Sequence, residues 1–512
     1  MSCYVALQSP EAFYILLDQD ADYSQDGPPL TESGPEEASS MFPTTRSLLL
    51  ARCPSLEELP QQRDYKEAQD FEGRAMAIRC VRERMEGQLS LSPSSTRSEW
   101  EQQRPAADAH KVTVSEATFT MLGFFLNPFT FSMPFLFAQS GLVSLLVLLL
   151  AFILCSFTGR LLVNCLQVLK DAGVPRPGYG DVATMVSGPR FGLFMQLLAP
   201  LECFVYAFGT CIVMCKTLAV AFPSLGAESL VSASCALAVI QCAIPDKAYA
   251  YLALFSTLSL IGSLLVVFAY STSLPEWSEK IELVVHAGLL PNSFSLAVFC
   301  IGAHCCFPML FNAVDSKEAC MQALQLGLLL WLAVAAVSGL AGYYIFGPAA
   351  QAIIIDNVGL DVQLRPYPAQ VTVKALLQLF MLLHCQLKLV PVSRPIAELW
   401  NQVLGWTVDV GQGGVMSMLS GLPVFLLIGA AAYGLMDLIS VVDSLCGSTL
   451  MSLNAIIFPS FAFVVICRPS GAMLWLSLSA GFLGIVLAVF VPWQYIAHYI
   501  SSGYVRAMLP VN

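Results

Sequence analysis

Eleven apolar runs follow one another along the chain, at 115–139, 142–167, 191–221, 229–245, 248–271, 293–314, 322–346, 369–395, 415–434, 437–466 and 471–497. Each is about as long as a helix needs to be to cross a ~30 Å hydrocarbon core. Their apolar residues are continuous rather than alternating, which disfavours a transmembrane barrel. The composition agrees: 56% of the 512 residues are hydrophobic and 12% are charged, with a mean hydropathy of +0.68, whereas a soluble domain carries about a quarter charged residues. A soluble enzyme is excluded on that ground. The expected fold class is all-α integral membrane with eleven transmembrane helices.

Charge divides the chain unevenly. Residues 1–110 hold ten Lys/Arg and nineteen Asp/Glu, and the remaining 402 hold fifteen and seventeen. An acidic tail therefore precedes a nearly chargeless body, and no cationic surface exists to neutralise the phosphates of a nucleic acid. Stretches 18–45 and 89–109 are rich in Ser, Pro, Gln and acids, a composition too poor in apolar surface to offset ordering entropy. The tail is expected to be mostly disordered, with a short solvated or docking helix over 64–89. The three parts are the tail (1–110), the membrane body (111–497) and a short carboxyl end (498–512).

The first residues lack the basic start and long apolar core of a signal peptide, so insertion is expected to begin after residue 110 and leave the tail cytosolic. Loop charges test this independently. Arg160, Lys170, Arg176, Arg190, Lys247, Lys317, Arg394 and Arg468 fall at connections on the tail's side, against Lys280, Arg365 and Arg506 on the other, as the positive-inside rule requires. The carboxyl end then faces the exterior or an organelle lumen. Tyr4-Val-Ala-Leu7 and Tyr14-Ile-Leu-Leu17 have the tyrosine-x-x-apolar form of vesicle sorting addresses, readable by sorting adaptors, although four-residue patterns also arise by chance.

The seventeen cysteines lie mostly inside apolar runs, where they act as small hydrophobes. The adjacent His304, Cys305 and Cys306 cannot surround a metal from one helical turn. No metal, cofactor or catalytic residue is expected, and nucleophile elbows, phosphate loops and haem motifs are missing.

Two spans carry interruptions. The first reads Gly123-Phe-Phe-Leu-Asn127-Pro128-Phe-Thr-Phe-Ser132-Met-Pro134, and the sixth reads Phe299-Cys-Ile-Gly302-Ala-His304-Cys-Cys-Phe307-Pro308. Each proline removes an amide donor and clashes with the carbonyl four residues earlier, so carbonyls near Phe124 and Thr130 are expected to be left open. In hydrocarbon that costs several kcal/mol per group unless protein, water or ligand satisfies it. The alternative is a pair of ordinary proline kinks. Interruptions five helices apart are where a five-plus-five inverted repeat places its broken helices 1 and 6 around a midplane site. Asn127, Pro128, Ser132, Gly302 and His304 become candidate substrate contacts.

At this point the motifs resemble those of the amino acid/auxin permease superfamily, most of all its vesicular inhibitory amino acid transporter branch and the vacuolar amino acid transporters. The resemblance spans roughly 112–497. Gly302 to Pro308 is similar to the family's Gly-His-x-x-Phe-Pro, with Ala303 inserted. Gly342-Tyr-Tyr-Ile-Phe346-Gly347 and Ile354-Ile-Asp-Asn357 resemble Gly-Tyr-x-x-Phe-Gly and Ile-Thr-x-Asn-Leu. Ser444-Leu-Cys-Gly447-Ser448 looks like Gly-Leu-x-Gly-Ser, and Tyr179-x-Asp181-Val-Ala183 like the loop before the third span. The resemblance implies a LeuT-like fold and secondary transport of amino acids, commonly proton-driven. Broken helix 1 departs from the family's Asn-x-x-x-Gly type of stretch: aligned on Pro134, this chain has Gly123 and then Asn127-Pro128.

Ionisable residues at depth are functional candidates by default. Glu202, about eleven residues into the third span, matches a glutamate of the vesicular branch. It is either a proton carrier or a static brace. Lys216 is not its partner, because fourteen residues of one helix span about 21 Å. His304 titrates near physiological pH in its unperturbed state, and Asp443 opens the tenth span, within reach of Lys374 or Lys388. Glu202, His304 and Asp443 are the candidate proton-coupling groups. Ser444 and Ser448 share a face and either contact substrate or bond back to their own helix.

The function expected is secondary active transport of small neutral amino acids by alternating access in an intracellular vesicle or endolysosomal membrane. A proton is favoured over sodium as coupling ion because no cluster of neutral oxygens forms a sodium cage. The alternative is a transport-inactive amino-acid sensor or scaffold signalling through its tail. A channel is third, since nothing resembles a filter ring.

Overall fold

The computed structural model describes residues 112–501, apart from 223, 368–370, 405 and 407–412. The tail 1–110 with its Tyr4 and Tyr14 motifs, the helix expected over 64–89, and the end 502–512 lie outside the described residues. Among the described residues the architecture is helical, with two isolated bridges and no strands.

In chain order, α1 is Val114–Phe125, α2 Met133–Ser140, α3 Ser144–Asp171, α4 Tyr179–Ser187, α5 Pro189–Ala221, α6 Ala227–Gln241 and α7 Asp246–Ser271. Then come α8, Leu290–Ile301, α9, Phe307–Ala313, α10, Lys317–Phe346, α11, Val371–Leu404, α12, Val415–Leu435, and α13, Ile439–Cys446. A π-helix, Gly447–Ile457, leads into α14, Phe458–Cys467, and α15, Gly471–Ser501, closes the series. Helix falls on every one of the eleven expected runs. Nine helical stretches among the described residues are long and apolar enough to cross a membrane. The expected first and second spans run together, Pro128–Asp171 forming one 44-residue stretch that starts inside the first. The expected fourth span is α6, 15 residues, or about 22 Å of helix.

Burial sorts these stretches into centre and rim. In Leu290–Ala313, 89% of the most apolar window is buried, against 33% in Gly471–Gln494. The broken sixth span therefore sits in the middle and α15 at the periphery. Leu146, Leu426 and Phe482 keep their side chains exposed, an apolar outer surface suited to lipid.

Local chemistry sets the ends of the first span. Thr113 and Glu116 form a reciprocal cap on α1, the Glu116 carboxylate taking the Thr113 amide at 2.9 Å and the Thr113 hydroxyl taking the Glu116 amide at 3.3 Å. Just before this cap the Val112 amide donates to the Ala313 carbonyl at 3.1 Å, tying the start of the first broken span to the end of the second. Around this pair, α5 packs on α4 and α11, α10 packs on α1, α2 and α3, and the π-helix packs on α8 and α15. Gly447 permits the last contact: a Cβ there would overlap the Ser295 carbonyl oxygen of α8.

Candidate functional site between two broken helices

The first span stops at Phe125. Leu126 (φ −81°, ψ 77°) and Asn127 (φ −101°, ψ 171°) leave the helical region, as the proline after Asn127 demands, and Pro128 begins a 3-10 turn to Ser132. Asn127 Oδ1 accepts from the Phe129 amide at 3.1 Å, while Nδ2 donates across to the Cys300 carbonyl of the sixth span at 3.2 Å. The Leu126 carbonyl takes Lys388 Nζ, from α11, at 2.8 Å. The Thr130 carbonyl, expected to be left open by Pro134, instead accepts the Met133 amide. The tighter 3-10 turn closes it locally.

The sixth span breaks in the same manner. After Ile301 come Gly302 (φ −77°, ψ 64°) and Ala303 (φ −99°, ψ 32°), a 3-10 turn over His304–Cys306, and then α9. The residue inserted relative to the family pattern, Ala303, thus lies in the bend between the two half-helices. Tyr206 of α5 donates its hydroxyl to the Phe299 carbonyl and lies 3.3 Å from that of Gly302. Its ring stacks on Phe299 at 5.1 Å, and Phe129 meets Phe299 edge-on at 4.7 Å. Side chains from α5 and α11, together with Asn127 from within the break, therefore satisfy the Phe299, Leu126 and Cys300 carbonyls at the two breaks.

A cavity of about 20 Å³ lies between the breaks, lined by Asn127, Pro128, Tyr206, Thr210, Cys305 and Lys388 among others. That is room for about one water, less than any amino acid needs. A second, open cavity of about 380 Å³ lies between α4, α5 and α11, with Tyr179, Asp181, Gln196, Pro308 and Glu398 in its wall. Cys305 borders both. At the rim of this open cavity, the vestibule, the Asp181 carboxylate caps α4 by accepting the Gly178 amide at 2.8 Å. Partial burial pushes its carboxyl above the usual aspartate range, and the Gly178 amide works against that rise.

Glu202 is fully buried against Cys305. Asn454 Nδ2, from the π-helix, donates to its Oε2 at 2.6 Å and Cys305 Sγ to its Oε1 at 3.3 Å. Its partners are these two side chains rather than a lysine or a backbone group. Tyr179 holds the π-helix from the other side, its hydroxyl donating to the Asn454 carbonyl at 2.9 Å. The sulfurs of Cys203, Cys305 and Cys306 lie within 4.8 Å of one another. Contacts of 3.8 Å and 3.7 Å, together with the Glu202 carboxylate, account for the Cys305 thiol without an ion.

The structure brings together only part of the expected set. Asn127 and Pro128 line the inner cavity, whereas Gly302 does not line it and its carbonyl lies 3.3 Å from the hydroxyl of Tyr206, which does. Ser132, His304 and Ser444 are buried and line neither cavity. His304 turns toward α3, where Nε2 lies 3.2 Å from the Thr158 hydroxyl and 3.1 Å from the Cys155 carbonyl, and its Nδ1 has no partner. Asp443 is buried with Oδ1 unpartnered, and its electrostatic neighbour is Lys216 rather than Lys374 or Lys388. Lys216 itself pairs with Asp356 at 3.6 Å, both half-exposed. Ser448 bonds back to the Leu445 carbonyl at 3.0 Å. Tyr206 and Asn454 are site residues that the sequence did not single out, and Lys388 and Cys305 figure there only as a partner of Asp443 and as a metal ligand. For Lys388 the signal was present, an ammonium some twenty residues into an apolar run.

The sequence profile described as "Transmembrane amino acid transporter protein" matches residues 110–497. The chain belongs to that family. Among curated relatives it is similar to the vesicular inhibitory amino acid transporter of Xenopus tropicalis, 23% identical over 267 residues, which is 48% of this chain and 50% of the relative. The human protein of the same name is 24% identical over 270 residues, 49% of this chain and 50% of its own length. The chain thus spans about half the length of the curated relatives it matches.

Proposed function

We propose that the protein is a secondary active carrier of small neutral amino acids, coupled to protons rather than sodium, and not an enzyme. The observation that carries this is the meeting of two broken helices, bridged by Asn127 and bordered by a cavity at mid-span, inside a chain of an amino acid transporter family. In this proposal eleven spans form a LeuT-like five-plus-five repeat, the tail 1–110 is cytosolic, and 498–512 faces the exterior or lumen. Asn127, Pro128 and Gly302 contact substrate as the cavity widens, and Ser132, His304 and Ser444 join only in a more open state. Glu202, His304 and Asp443 carry the proton. The likeness to vesicular relatives favours a vesicle or endolysosomal membrane.

The asymmetry of the site supports alternating access. The vestibule reaches Cys305 from the α4 side, while the Lys216–Asp356 pair ties the third span to the loop after the seventh. The conformation fits an occluded state poised toward the α4 side, from which rocking of the broken helices opens the opposite path.

One observation favours a second proposal, the sensor: Lys388 already satisfies the Leu126 carbonyl without a ligand. Uptake of radiolabelled neutral amino acids into proteoliposomes, with and without an imposed pH gradient, separates the two. A carrier shows saturable uptake that rises with the gradient and persists without sodium. Saturable binding with no flux under any gradient would establish the sensor and end the carrier proposal.

A further inference from the structure

We propose that Lys388 is the carboxylate anchor of the cavity between the broken helices, so that the site takes ligands bearing a free carboxylate and refuses the same molecules once decarboxylated. The proposal deepens the transport reading and rests on it for the identity of the ligand, but not for the recognition itself.

The argument begins with what the cavity lacks. Carbonyls released by the breaks are the groups that would be expected to receive a ligand's ammonium, and several of them are already occupied. Leu126 is taken by Lys388, Cys300 by Asn127, and Phe299 by Tyr206, whose hydroxyl also lies near the Gly302 carbonyl. Those bonds use the Tyr206 hydroxyl proton, and Asn127 Oδ1 is spent on the Phe129 amide. Lys388 differs from the other lining groups. An ammonium carries three donors, the Leu126 carbonyl uses one, and no carboxylate lies within ion-pair distance of it among the described residues.

Charge leads to the same conclusion. The residues lining the cavity include one base, Lys388, and no acid. Glu202, the nearby carboxylate, is turned to Asn454 and Cys305. Holding an ammonium away from water with one neutral acceptor is costly unless a counter-charge arrives. A carboxylate brings that charge and two oxygens for the remaining donors, a charge-assisted arrangement stronger than a neutral hydrogen bond. Thr210 and Asn127 in the same wall are neutral and repel neither end of a zwitterion. Widening of the cavity then places the ligand's carboxylate on Lys388 and couples its arrival to the Leu126 carbonyl, hence to broken helix 1.

The test uses the full chain, wild type and Lys388→Gln, Lys388→Met and Lys388→Arg, purified in detergent and in proteoliposomes. The probes are propionate, a carboxylate with no ammonium, and ethylamine, an ammonium with no carboxylate. In wild type, propionate is expected to raise the melting temperature and compete with alanine uptake, and ethylamine to do neither. Lys388→Gln and Lys388→Met should lose the propionate shift and raise the KM for alanine at least tenfold at little-changed maximal rate, with Lys388→Arg restoring part of the affinity. A purely structural role for Lys388 would lower melting temperatures without changing the preference of propionate over ethylamine. Equal propionate protection of wild type and folded Lys388→Gln, or protection of wild type by ethylamine alone or by neither probe, would overturn the anchor. If wild type carries no amino acid at all, the transport reading fails, and the propionate shift still decides for or against Lys388.

Discussion

Replacing Glu202 by Gln leaves a side chain that can still accept from Asn454 but can no longer gain or lose a proton. Because its partners are neutral and its burial complete, Glu202→Gln is expected to fold, retain amino acid binding and lose gradient-driven uptake on the order of tenfold or more, about 1.4 kcal/mol. Proteoliposome flux measured against internal pH checks this, and an unchanged pH profile would remove Glu202 from the coupling path. Cys305 supplies a second check, since its half-buried thiol borders the vestibule. A charged thiosulfonate applied from the α4 side should block uptake in wild type and spare Cys305→Ser. Much at this scale was legible beforehand: rarity of charge at depth singled out Glu202. The direction of His304 was not, because its ring follows the phase of a three-residue 3-10 turn that no spacing rule sets. The role of Lys388 is hidden from sequence because a lysine at depth points to an acid partner such as Asp443, whereas its acceptor is a backbone carbonyl.

Prolines made the broken helices readable as elements. Pro128 and Pro134 fix where the first span must yield, and Gly302 with Pro308 does so for the sixth, since a missing amide is a local fact of sequence. The π-helix Gly447–Ile457 was not readable, because its wider turn leaves the apolar pattern almost unchanged while rotating every later side chain. That rotation matters, for it lies in the segment that presents Asn454 to Glu202. Gly447 is the point where this element leans on α8. Gly447→Ala should force the two apart and cost roughly 1–3 kcal/mol, as overpacking does, read as a lower melting temperature in detergent. A melting temperature equal to wild type would mean that the contact yields freely.

Across the whole molecule, the eleven apolar runs led to a helical membrane body, and helix occupies each of them, but run lengths did not foresee that α6 is 15 residues long. Closure on the side away from the vestibule includes an ion pair between half-exposed groups, Lys216 and Asp356. Such pairs are worth about 0–1 kcal/mol, yet a change of that size shifts a balanced two-state equilibrium by up to roughly fivefold. Asp356→Asn is therefore expected to favour the state open opposite the vestibule, and the rate of Cys305 modification from the α4 side should fall; an equal or faster rate would show that the pair does not hold that gate. The shared position of Cys305 sets the energetics of the journey as well. In the carrier proposed above, with Cys305 lining both chambers, passage on that side demands the swing of one short turn, so the slow step is expected on the opposite face, where whole helices have to part company.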